Sequence, residues 1–355
     1  MITPLPTQSL EQLRTEFLQE AQSAPKLFKD LAKVEQYIAE SYKTRALIEL
    51  IQNADDAQSR SFGLHGIEGG FIVGNNGRTF TPEDVESLCR SGSSNKQRGG
   101  STIGYRGIGF KSVVNIANTI SVISGEFRFC FNRQKTKLTL QSDVDVPLIS
   151  VPHPIDKIQD AVLIQAFDLK QKNEYNSVFV FQYVVGKLSL EELSSLDRSS
   201  LLFLNNLRKL SINYQNINRN IIVEHLSTKK LQTVVRICEA KSRNEWIIES
   251  TKKNNIDRIA FKKINGTIVL ALPVESVIHS FTPTYEFAGA YFKMNGDFTT
   301  DPSCKTVDIN ELSKKSFQNS VLILIDSISC ILNGDMTKKG FFSPFVNMIC
   351  ISIII

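Results

Sequence analysis

Three polar side chains recur at regular spacing along one predicted helix. Glu49, Asn53 and Asp56 stand at positions i, i+4 and i+7, which places them on one helix face. A carboxylate, a carboxamide and a second carboxylate in one stripe offer a base for activating water. They also offer ligands for a hydrated Mg²⁺ ion, which takes one or two protein oxygens besides water and phosphate oxygens. The alternative interpretation is the ordinary polar outer face of an amphipathic helix.

A glycine-rich turn follows later in the chain and has the composition of a phosphate-binding segment. Gly104, Gly107 and Gly109 form G-x-x-G-x-G directly before an apolar helical pattern. Such glycines let backbone N–H groups approach a phosphate closely, and the helix N-terminus adds positive potential. The spacing is not that of a Rossmann fingerprint, and the Walker pattern G-x-x-x-x-G-K-[ST] is absent. The turn therefore indicates phosphate binding only in combination with other segments.

The elements that must position these residues begin with helices. Apolar residues recur at helical spacing in the first 60 residues, and Thr81, Pro82 and Asp84 are typical of an N-cap and first turn. A segment rich in Ser, Gly and Asn at 91–102 holds no apolar side chain and is expected to be a mobile loop. The predicted order is helices at 9–21, 25–41 and 44–59, a loop at 63–70, a strand at 71–73, a Gly-Asn-Asn-Gly turn at 74–77, and a helix from 81.

From residue 120 the pattern changes to the alternation and β-branched content typical of strands. The first strand set ends between residues 186 and 212, which places a domain boundary there. We therefore expect domains at 1–200 and 201–340, followed by an apolar tail at 341–355. Strands are predicted at 120–123, 127–131, 137–140, 161–167, 177–184, within 221–272 and within 285–298, and helices at 189–196 and 310–332.

Composition and charge are those of a soluble globular protein and argue against two kinds of site, for nucleic acid and for zinc. The 355 residues are 42% hydrophobic and 22% charged with a formal net charge of +5, as in a soluble globular protein. Basic pairs are scattered without interleaved aromatic residues, so no nucleic-acid site is expected. The six cysteines contain no C-x-x-C pair and do not cluster with the four histidines, which argues against a zinc site or a disulfide framework.

The two ends of the sequence are candidate positions for a secretory signal and a membrane span, which would determine where the protein resides in the cell. The first 20 residues lack the charged start and apolar run of a secretory signal, so a reducing cytoplasm is predicted. The tail at 341–355 is uncharged but shorter than the roughly 18 apolar residues of a membrane span, and Pro344 and Asn347 interrupt it. We expect a core element cut short or a chain that continues further, with a membrane anchor as the alternative.

Taken in order, these segments resemble the GHKL ATPase superfamily, which contains DNA gyrase B, the heat-shock chaperone ATPases, sensor histidine kinases and MutL. Residues 49–57, ELIQNADDA, match its N-box, and residues 104–110, GYRGIGF, match its second glycine box. Ser91 and Gly92 look like the start of its ATP lid. The resemblance implies an α+β fold, a two-layer Bergerat-type sandwich with a mixed sheet and helices on one face. A second α/β domain, similar to a chaperone middle domain, is expected to follow.

Within that superfamily the likeness is closest to the sacsin-like and NO VEIN-like branch. It is carried by Asn75-Asn76 at the first glycine box and by the Gly-Phe-Lys-Ser segment at 109–112. Two distal segments add to it, Phe-Thr-Pro-Thr at 281–284 and Asn-Gly-Asp-Phe at 295–298. The resemblance covers residues 30–310, most closely up to 125.

The resemblance implies a role for each matched residue. Glu49 corresponds to the general base, and Asn53 to the Mg²⁺ ligand. Asn75 stands where the family usually has an adenine-binding Asp; its carbonyl can accept a hydrogen bond from the adenine amine, without charge assistance. Ser177 corresponds to a strand Thr that supports the adenine pocket. The alternatives are a plain turn residue for Asn75 and a structural strand serine for Ser177.

The remaining matched residues are expected around the phosphates. Lys111 either adds a cation there or is an exposed helix lysine. Besides Glu49, the predicted ATP-binding set comprises Asn53, Asp56, Asn75, Gly77, Ser91, Gly92, Gly104, Gly107, Ile108, Gly109, Phe110, Lys111 and Ser177.

One departure from the family affects turnover. Related proteins tend to have an Arg after Pro-Ser, whereas Pro302-Ser303 is followed here by Cys304 and Lys305. If that Arg reaches the γ-phosphate, Cys304 cannot replace it and Lys305 lacks its planar fork.

The resemblance thus implies a Mg²⁺-ATP-driven switch with lid closure and slow hydrolysis, in a chaperone-like or defence-related role. A non-hydrolysing nucleotide-binding scaffold or sensor is the alternative. A sensor kinase ranks last, because it needs an upstream phosphoacceptor His and none precedes His65. The expected partners are ATP, a second copy of the chain in an ATP-dependent homodimer, and an unknown protein client, with neither nucleic acid nor a membrane.

Overall fold

The computed structural model describes residues 6–41, 45–90, 109–183, 188–229, 231–251, 256–301 and 305–332. The chain divides into two compact units. The first comprises Met1–Leu196 and Asn205–Asn220, and the second Asp197–Leu204 and Ile221–Ile355. We keep the domain limits expected from the sequence, 1–200 and 201–340, as a proposal.

The helix predicted to start at Thr81 begins where its capping residues indicate. Thr81 accepts a hydrogen bond from the Asp84 N–H (3.3 Å), and the Asp84 carboxylate accepts one from the Thr81 N–H (2.9 Å). This capping box confirms the predicted helix start. The helices are α1 (Pro6–Ser23), α2 (Pro25–Ser41), α3 (Ala46–Asp56), α4 (Pro82–Cys89), α5 (Arg133–Leu140), α6 (Ala161–Lys172) and α7 (Leu190–Ser195), with a 3-10 helix at Gly109–Asn115.

The sheet of the first unit is mixed. Its strand order is β7-β1-β2-β6-β3-β4-β5, and β1 pairs with β7 in parallel while the other neighbouring strands in this order are antiparallel. The strands are β1 (Ser61–Ile67), β2 (Gly70–Asn75), β3 (Thr119–Ser124), β4 (Phe127–Asn132), β5 (His153–Pro154), β6 (Ser177–Gln182) and β7 (Lys209–Tyr214). Helices and a mixed sheet confirm the predicted α+β class.

The two faces of this sheet have different coverings. On one face the centre of the Phe110 ring lies 5.7 Å from the centre of the Phe179 ring of β6, so the 3-10 helix packs there. On the other face Val178 and Val180 form a buried cluster with Ala166 of α6. Because neighbouring strand residues point to opposite faces, α6 covers the side away from Phe110. The expectation that helices lie on one face only is therefore corrected: α6 occupies the second face.

Two predicted strands are helices. Residues 137–140 alternate like a strand but end α5, where the Asn132 side chain caps the helix by accepting from the Lys135 N–H (2.9 Å). Residues 161–167 read as an apolar strand but begin α6, which the Asp160 carboxylate caps in the same way. In both cases an N-cap residue just before the segment outweighs the strand-like pattern.

The predicted loop at 63–70 is also wrong, because most of it forms β1 and the start of β2. Gly63 pairs with Gly74 across these strands. A Cβ on either glycine would overlap the Tyr175 side chain. The glycines in this segment thus serve close packing against an aromatic ring as well as turns.

The second unit consists of a mixed sheet and one long helix. Its strand order is β14-β13-β15-β11-β10-β9-β8, with β12 on β11. Its core contains Ile259, Phe292, Met294 and Phe298, and Phe317 of the helix packs against it. The elements are β8 (Ile217–Lys229, of which 217–220 belong to the first unit), β9 (Gln232–Glu239), β10 (Ser242–Ser250), β11 (Arg258–Ile264), β12 (Thr267–Val269), β13 (Val277–Ser280), β14 (Thr282–Phe287), β15 (Lys293–Asn295), α8 (Glu311–Leu332), and 3-10 helices at Arg198–Leu201 and Pro273–Glu275.

The helices that the structure describes do not include a candidate membrane span. Among them, none combines the length and the apolar character that crossing a bilayer requires.

Candidate functional site

Helix α3 carries the polar stripe expected from the sequence, and it lies largely inside the first unit. The side chains of Glu49 and Asp56 are each 8% exposed, and Asn53 is half-buried. The alternative of a solvated outer face is therefore wrong for the two carboxylates. Buried carboxylates require specific partners, which makes this face a candidate site.

The predicted base and the predicted phosphate-binding turn lie against each other. A Cβ built on Gly109 would overlap Glu49 Oε2 and stand 3.0 Å from Glu49 Cδ. Only glycine fits at position 109 while the Glu49 carboxyl group keeps its place. The sequence-distant N-box and second glycine box are thus brought into direct contact.

The first glycine box packs on the other end of α3. The Arg78 N–H donates to the carbonyl oxygen of Ala57 (2.7 Å), the residue that follows α3. A Cβ on Gly77 would overlap that same oxygen and lie 2.8 Å from Ala57 Cβ. The turn after β2 is therefore fixed against the C-terminal end of the helix that carries Asn53 and Asp56.

Asn75 and Ser177 are neighbours at one end of the sheet. They lie directly opposite each other in the β2–β6 pair, and Ser177 lies opposite Ser124 of β3. Asn75 is buried, and its Oδ1 accepts a hydrogen bond from the Gly77 N–H (3.0 Å). The Ser177 and Ser124 hydroxyls are hydrogen-bonded (2.6 Å). The predicted adenine-binding position and the position predicted to support the adenine pocket thus form one polar row.

Lys111 is not an exposed helix lysine. Its side chain is 2% exposed, and its Nζ donates to the Ile149 carbonyl oxygen (3.1 Å) and lies 3.8 Å from Glu35 Oε1. Burial lowers the pKa of the Lys111 ammonium, and the Glu35 carboxylate counteracts part of that shift. The ammonium group thus has its partners inside the protein, at Ile149 and Glu35, and these contacts argue against a role at the phosphates.

Several predicted positions lie outside the residues that the structure describes. These are Ser91, Gly92, Gly104, Gly107, Ile108 and Cys304. Lys305 is described and belongs to the second unit, where its Nζ lies 5.7 Å from the centre of the Tyr285 ring.

The two distal segments of the resemblance contact each other within the second unit. The Phe281 N–H donates to Asn295 Oδ1 (2.8 Å), and the Gly296 N–H donates to the carbonyl oxygen of His279 (3.2 Å). The Ser280 hydroxyl donates to the Phe298 carbonyl oxygen (3.2 Å). The asparagine of Asn-Gly-Asp-Phe therefore supports the backbone at Phe-Thr-Pro-Thr.

Two carboxylates that sequence reasoning missed, the buried Asp55 and the half-buried Glu192, hold α3 in place. The Asp55 carboxylate accepts hydrogen bonds from the N–H groups of Asn205 (3.1 Å), Asn206 (2.7 Å) and Leu207 (2.8 Å). Glu192 accepts one from the Leu47 N–H (2.8 Å) in the first turn of α3. Burial raises the pKa of Glu192 to about 7. Both carboxylates bind backbone N–H groups far away in sequence, so no local pattern marked them.

No cluster of three or more His, Cys, Asp or Glu side chains that could hold a metal ion occurs in the described part of the chain. The assignment of Asn53 as a Mg²⁺ ligand stays a prediction, and Mg²⁺ commonly takes only one or two protein oxygens besides water and phosphate oxygens.

The sequence of this chain is similar to a known protein domain and to a known plant protein. Residues 61–179 match the family model of the sacsin domain. The chain is also similar to protein NO VEIN of Arabidopsis thaliana, with 25% identity over 293 residues in a match that covers 76% of this chain. The resemblance to the sacsin-like and NO VEIN-like branch is confirmed. The sacsin-domain match runs from β1 into β6 and contains Asn75, Gly109 and Ser177, whereas α3 precedes it.

The extent of these similarities differs. The chain spans 10% of the length of NO VEIN. Among solved structures, it is similar to the B-subunit of the DNA gyrase from Myxococcus xanthus, with 10% identity and a TM-score of 0.37. That similarity covers 87% of this chain and 95% of the gyrase chain.

Proposed function

We propose that this chain binds ATP together with Mg²⁺ and hydrolyses it slowly, with Glu49 as the base that orients the attacking water. The observation that carries the proposal is the contact between Glu49 and Gly109. It sets the only carboxylate matched to a catalytic role directly against the turn matched to phosphate binding. The sacsin-domain match over residues 61–179 supports the same interpretation.

The adenine end of the proposed site is the polar row of Asn75 and Ser177. Asn75 Oδ1 already accepts the Gly77 N–H, and a carbonyl oxygen has a second lone pair for the adenine amine. Ser177 lies opposite Asn75, with its hydroxyl bonded to Ser124. The residues therefore fit an adenine ring edge, through a neutral acceptor in place of the usual carboxylate.

The phosphate end lies between α3 and the 3-10 helix. A bound Mg²⁺ would supply positive charge to the phosphate oxygens and would take Asn53 as its protein ligand. Glu49 accepts a proton from the water that attacks the γ-phosphorus, while the bond to the bridging oxygen breaks and ADP leaves with the electron pair. The burial of Glu49 suits this role, because a base shielded from bulk water keeps its orientation.

Steady-state ATPase measurements on the wild type and Glu49→Gln test the catalytic assignment. Loss of a general base lowers kcat by roughly 100-fold or more, whereas the affinity for Mg²⁺-ATP stays within about threefold, since Gln keeps the side chain's size. Glu68→Gln changes an exposed carboxylate of the same unit and is the matched control.

The outcomes separate the candidate functions. Equal rates above background in the wild type and Glu49→Gln would remove Glu49 from the catalytic role. ATP binding without any ADP release in the wild type would favour the alternative, a nucleotide-binding scaffold or sensor. The Cys304-Lys305 sequence at the expected Arg position is the feature that favours this alternative.

We extend the proposal to an ATP-dependent homodimer, a lid-closure switch and a chaperone-like or defence-related role. These parts rest on the sequence resemblance alone. Sedimentation velocity with a non-hydrolysable ATP analogue checks the dimer, because the proposal expects a concentration-dependent dimer only when the analogue is present.

A further inference from the structure

A buried ion pair connects α2 to the 3-10 helix that begins at Gly109. Glu35 of α2 is 1% exposed, and Lys111 is 2% exposed, with 3.8 Å between Glu35 Oε1 and Lys111 Nζ. Burying an ion pair costs desolvation free energy, which the attraction between the two charges and their hydrogen bonds must offset. Lys111 stands two residues after Gly109, in the same 3-10 helix.

Glu35 is itself held rigidly. Its two carboxylate oxygens accept hydrogen bonds from the N–H groups of Leu148 (2.6 Å) and Ile149 (2.9 Å). Arg133 donates from its guanidinium to Glu35 Oε2 (3.2 Å). Lys111 in turn donates to the carbonyl oxygen of Ile149 (3.1 Å). The ammonium therefore donates one hydrogen bond to Ile149 and pairs with a carboxylate that is itself bonded to the backbone at Leu148 and Ile149.

A second contact joins the same two helices further along. Gln36, the next residue of α2, donates from its side-chain amide to Asn115 Oδ1 (2.8 Å). Asn115 is the last residue of the 3-10 helix. Helix α2 thus holds the 3-10 helix at both Lys111 and Asn115.

The beginning of that 3-10 helix requires accurate placement. Gly109 lies so close to Glu49 that a methyl group would not fit between them. A small displacement of Gly109 therefore either collides with the carboxyl group or opens a gap beside it. In reactions that depend on positioning, an error of about 1 Å can cost roughly 100-fold in rate.

We propose that Glu35 and Lys111 are positioning residues that hold the glycine-rich turn against Glu49 without touching the nucleotide. The inference rests on the proposed ATPase function and gives Lys111 a role that differs from both alternatives drawn from the sequence, a cation at the phosphates and an exposed helix lysine. The two roles differ in consequence. A phosphate ligand acts through Lys111 alone, whereas a positioning pair requires Glu35 equally.

Three variants test the pair: Lys111→Met, Glu35→Gln and the double variant. Lys33→Met, which removes an exposed lysine of α2 that pairs with exposed Asp30, is the matched control. Each single variant is expected to lower kcat at least 10-fold, while the Michaelis constant for Mg²⁺-ATP changes less than threefold. The double variant, which leaves no unpaired buried charge, is expected to be less impaired than the product of the single effects.

Hydrogen exchange of the amides at 109–115, measured without nucleotide, provides a readout independent of activity. Exchange there should rise at least 10-fold in both single variants and stay unchanged in Lys33→Met. If Glu35→Gln does not fold, Lys111→Met and the double variant carry the comparison.

The results distinguish the possible failures. If Lys111→Met raises the Michaelis constant for Mg²⁺-ATP at least 10-fold while Glu35→Gln leaves it unaffected, the inference is overturned in favour of a phosphate contact. Wild-type kcat and wild-type exchange in both single variants would overturn it as well. If the wild type binds no ATP, the proposed function fails, and the exchange measurement still decides whether the pair positions the turn.

Discussion

Replacing Asp55 tests how α3, the helix that carries Glu49 and Asn53, is held in the first unit. The Asp55 Oδ1 atom accepts the N–H groups of Asn206 and Leu207, and Oδ2 accepts that of Asn205. Asp55→Ala leaves all three donors without this acceptor, and of these three residues only Leu207 is buried. Asp55→Asn keeps one oxygen for two donors and sets an amide N–H₂ against the third.

The expected losses of stability follow from these contacts. An unsatisfied buried donor costs about 1–3 kcal/mol, and the two donors that water can reach cost less than the buried one. We expect Asp55→Ala to lower the free energy of unfolding by about 2–4 kcal/mol. Burial raises the pKa of Asp55, so removing its charge recovers part of the loss. Asp55→Asn should therefore cost only about 1–2 kcal/mol.

Urea unfolding followed by circular dichroism measures both variants. Trp246 is the only tryptophan and belongs to the second unit, so its fluorescence reports that unit separately. Asp168→Asn, at an exposed position of α6, is the control. If Asp55→Ala unfolds within about 0.5 kcal/mol of that control, the three hydrogen bonds do not hold α3, and the reasoning is refuted.

Three further predictions concern single contacts of the first unit. Gly74→Ala should lower stability by about 1–3 kcal/mol, because its Cβ overlaps the buried Tyr175 ring; an unchanged urea midpoint would contradict the packing. Burial raises the pKa of Glu192 from 4.5 to about 7, so this residue contributes stability at low pH that is lost as the pH rises through 7. Glu192→Gln should therefore flatten the decline in melting temperature between pH 5 and pH 8. Parallel wild-type and variant profiles would count against this assignment. Gly109→Ala should lower kcat for ATP hydrolysis roughly 100-fold through displacement of Glu49, and retention of the wild-type rate would show that the contact is dispensable.

The sequence predicted those parts of the fold that depend on local patterns. The capping box at Thr81 and the alternation in β3 and β4 lie within a few residues of the elements they specify. The same patterns misled at α5 and α6, where apolar and β-branched runs suggested strands. At both places an N-cap side chain, Asn132 or Asp160, accepts a hydrogen bond from the first helical turn and stabilises the helix.

At Gly109 the residue type alone predicted a close approach of the backbone to a partner, because glycine has no side chain. The structure shows such an approach to Glu49, which no local pattern indicated, and the contact with phosphate stays a prediction. Glu35, Asp55 and Glu192 were not predictable, since each binds N–H groups more than 100 positions away. A backbone N–H has no residue type, so the partner of such a carboxylate leaves no trace in the sequence.

The central claim is that α3 and the glycine-rich turn form a Mg²⁺-ATP site. Isothermal titration calorimetry of ATP, with and without Mg²⁺, on the wild type and Asn53→Ala tests it most directly. We predict binding by the wild type that Mg²⁺ strengthens, and a loss of about 10-fold or more in the Mg²⁺-dependent affinity of a folded Asn53→Ala, or about 1.4 kcal/mol. No ATP binding by the wild type, or an Asn53→Ala variant with undiminished Mg²⁺ dependence, would contradict the account.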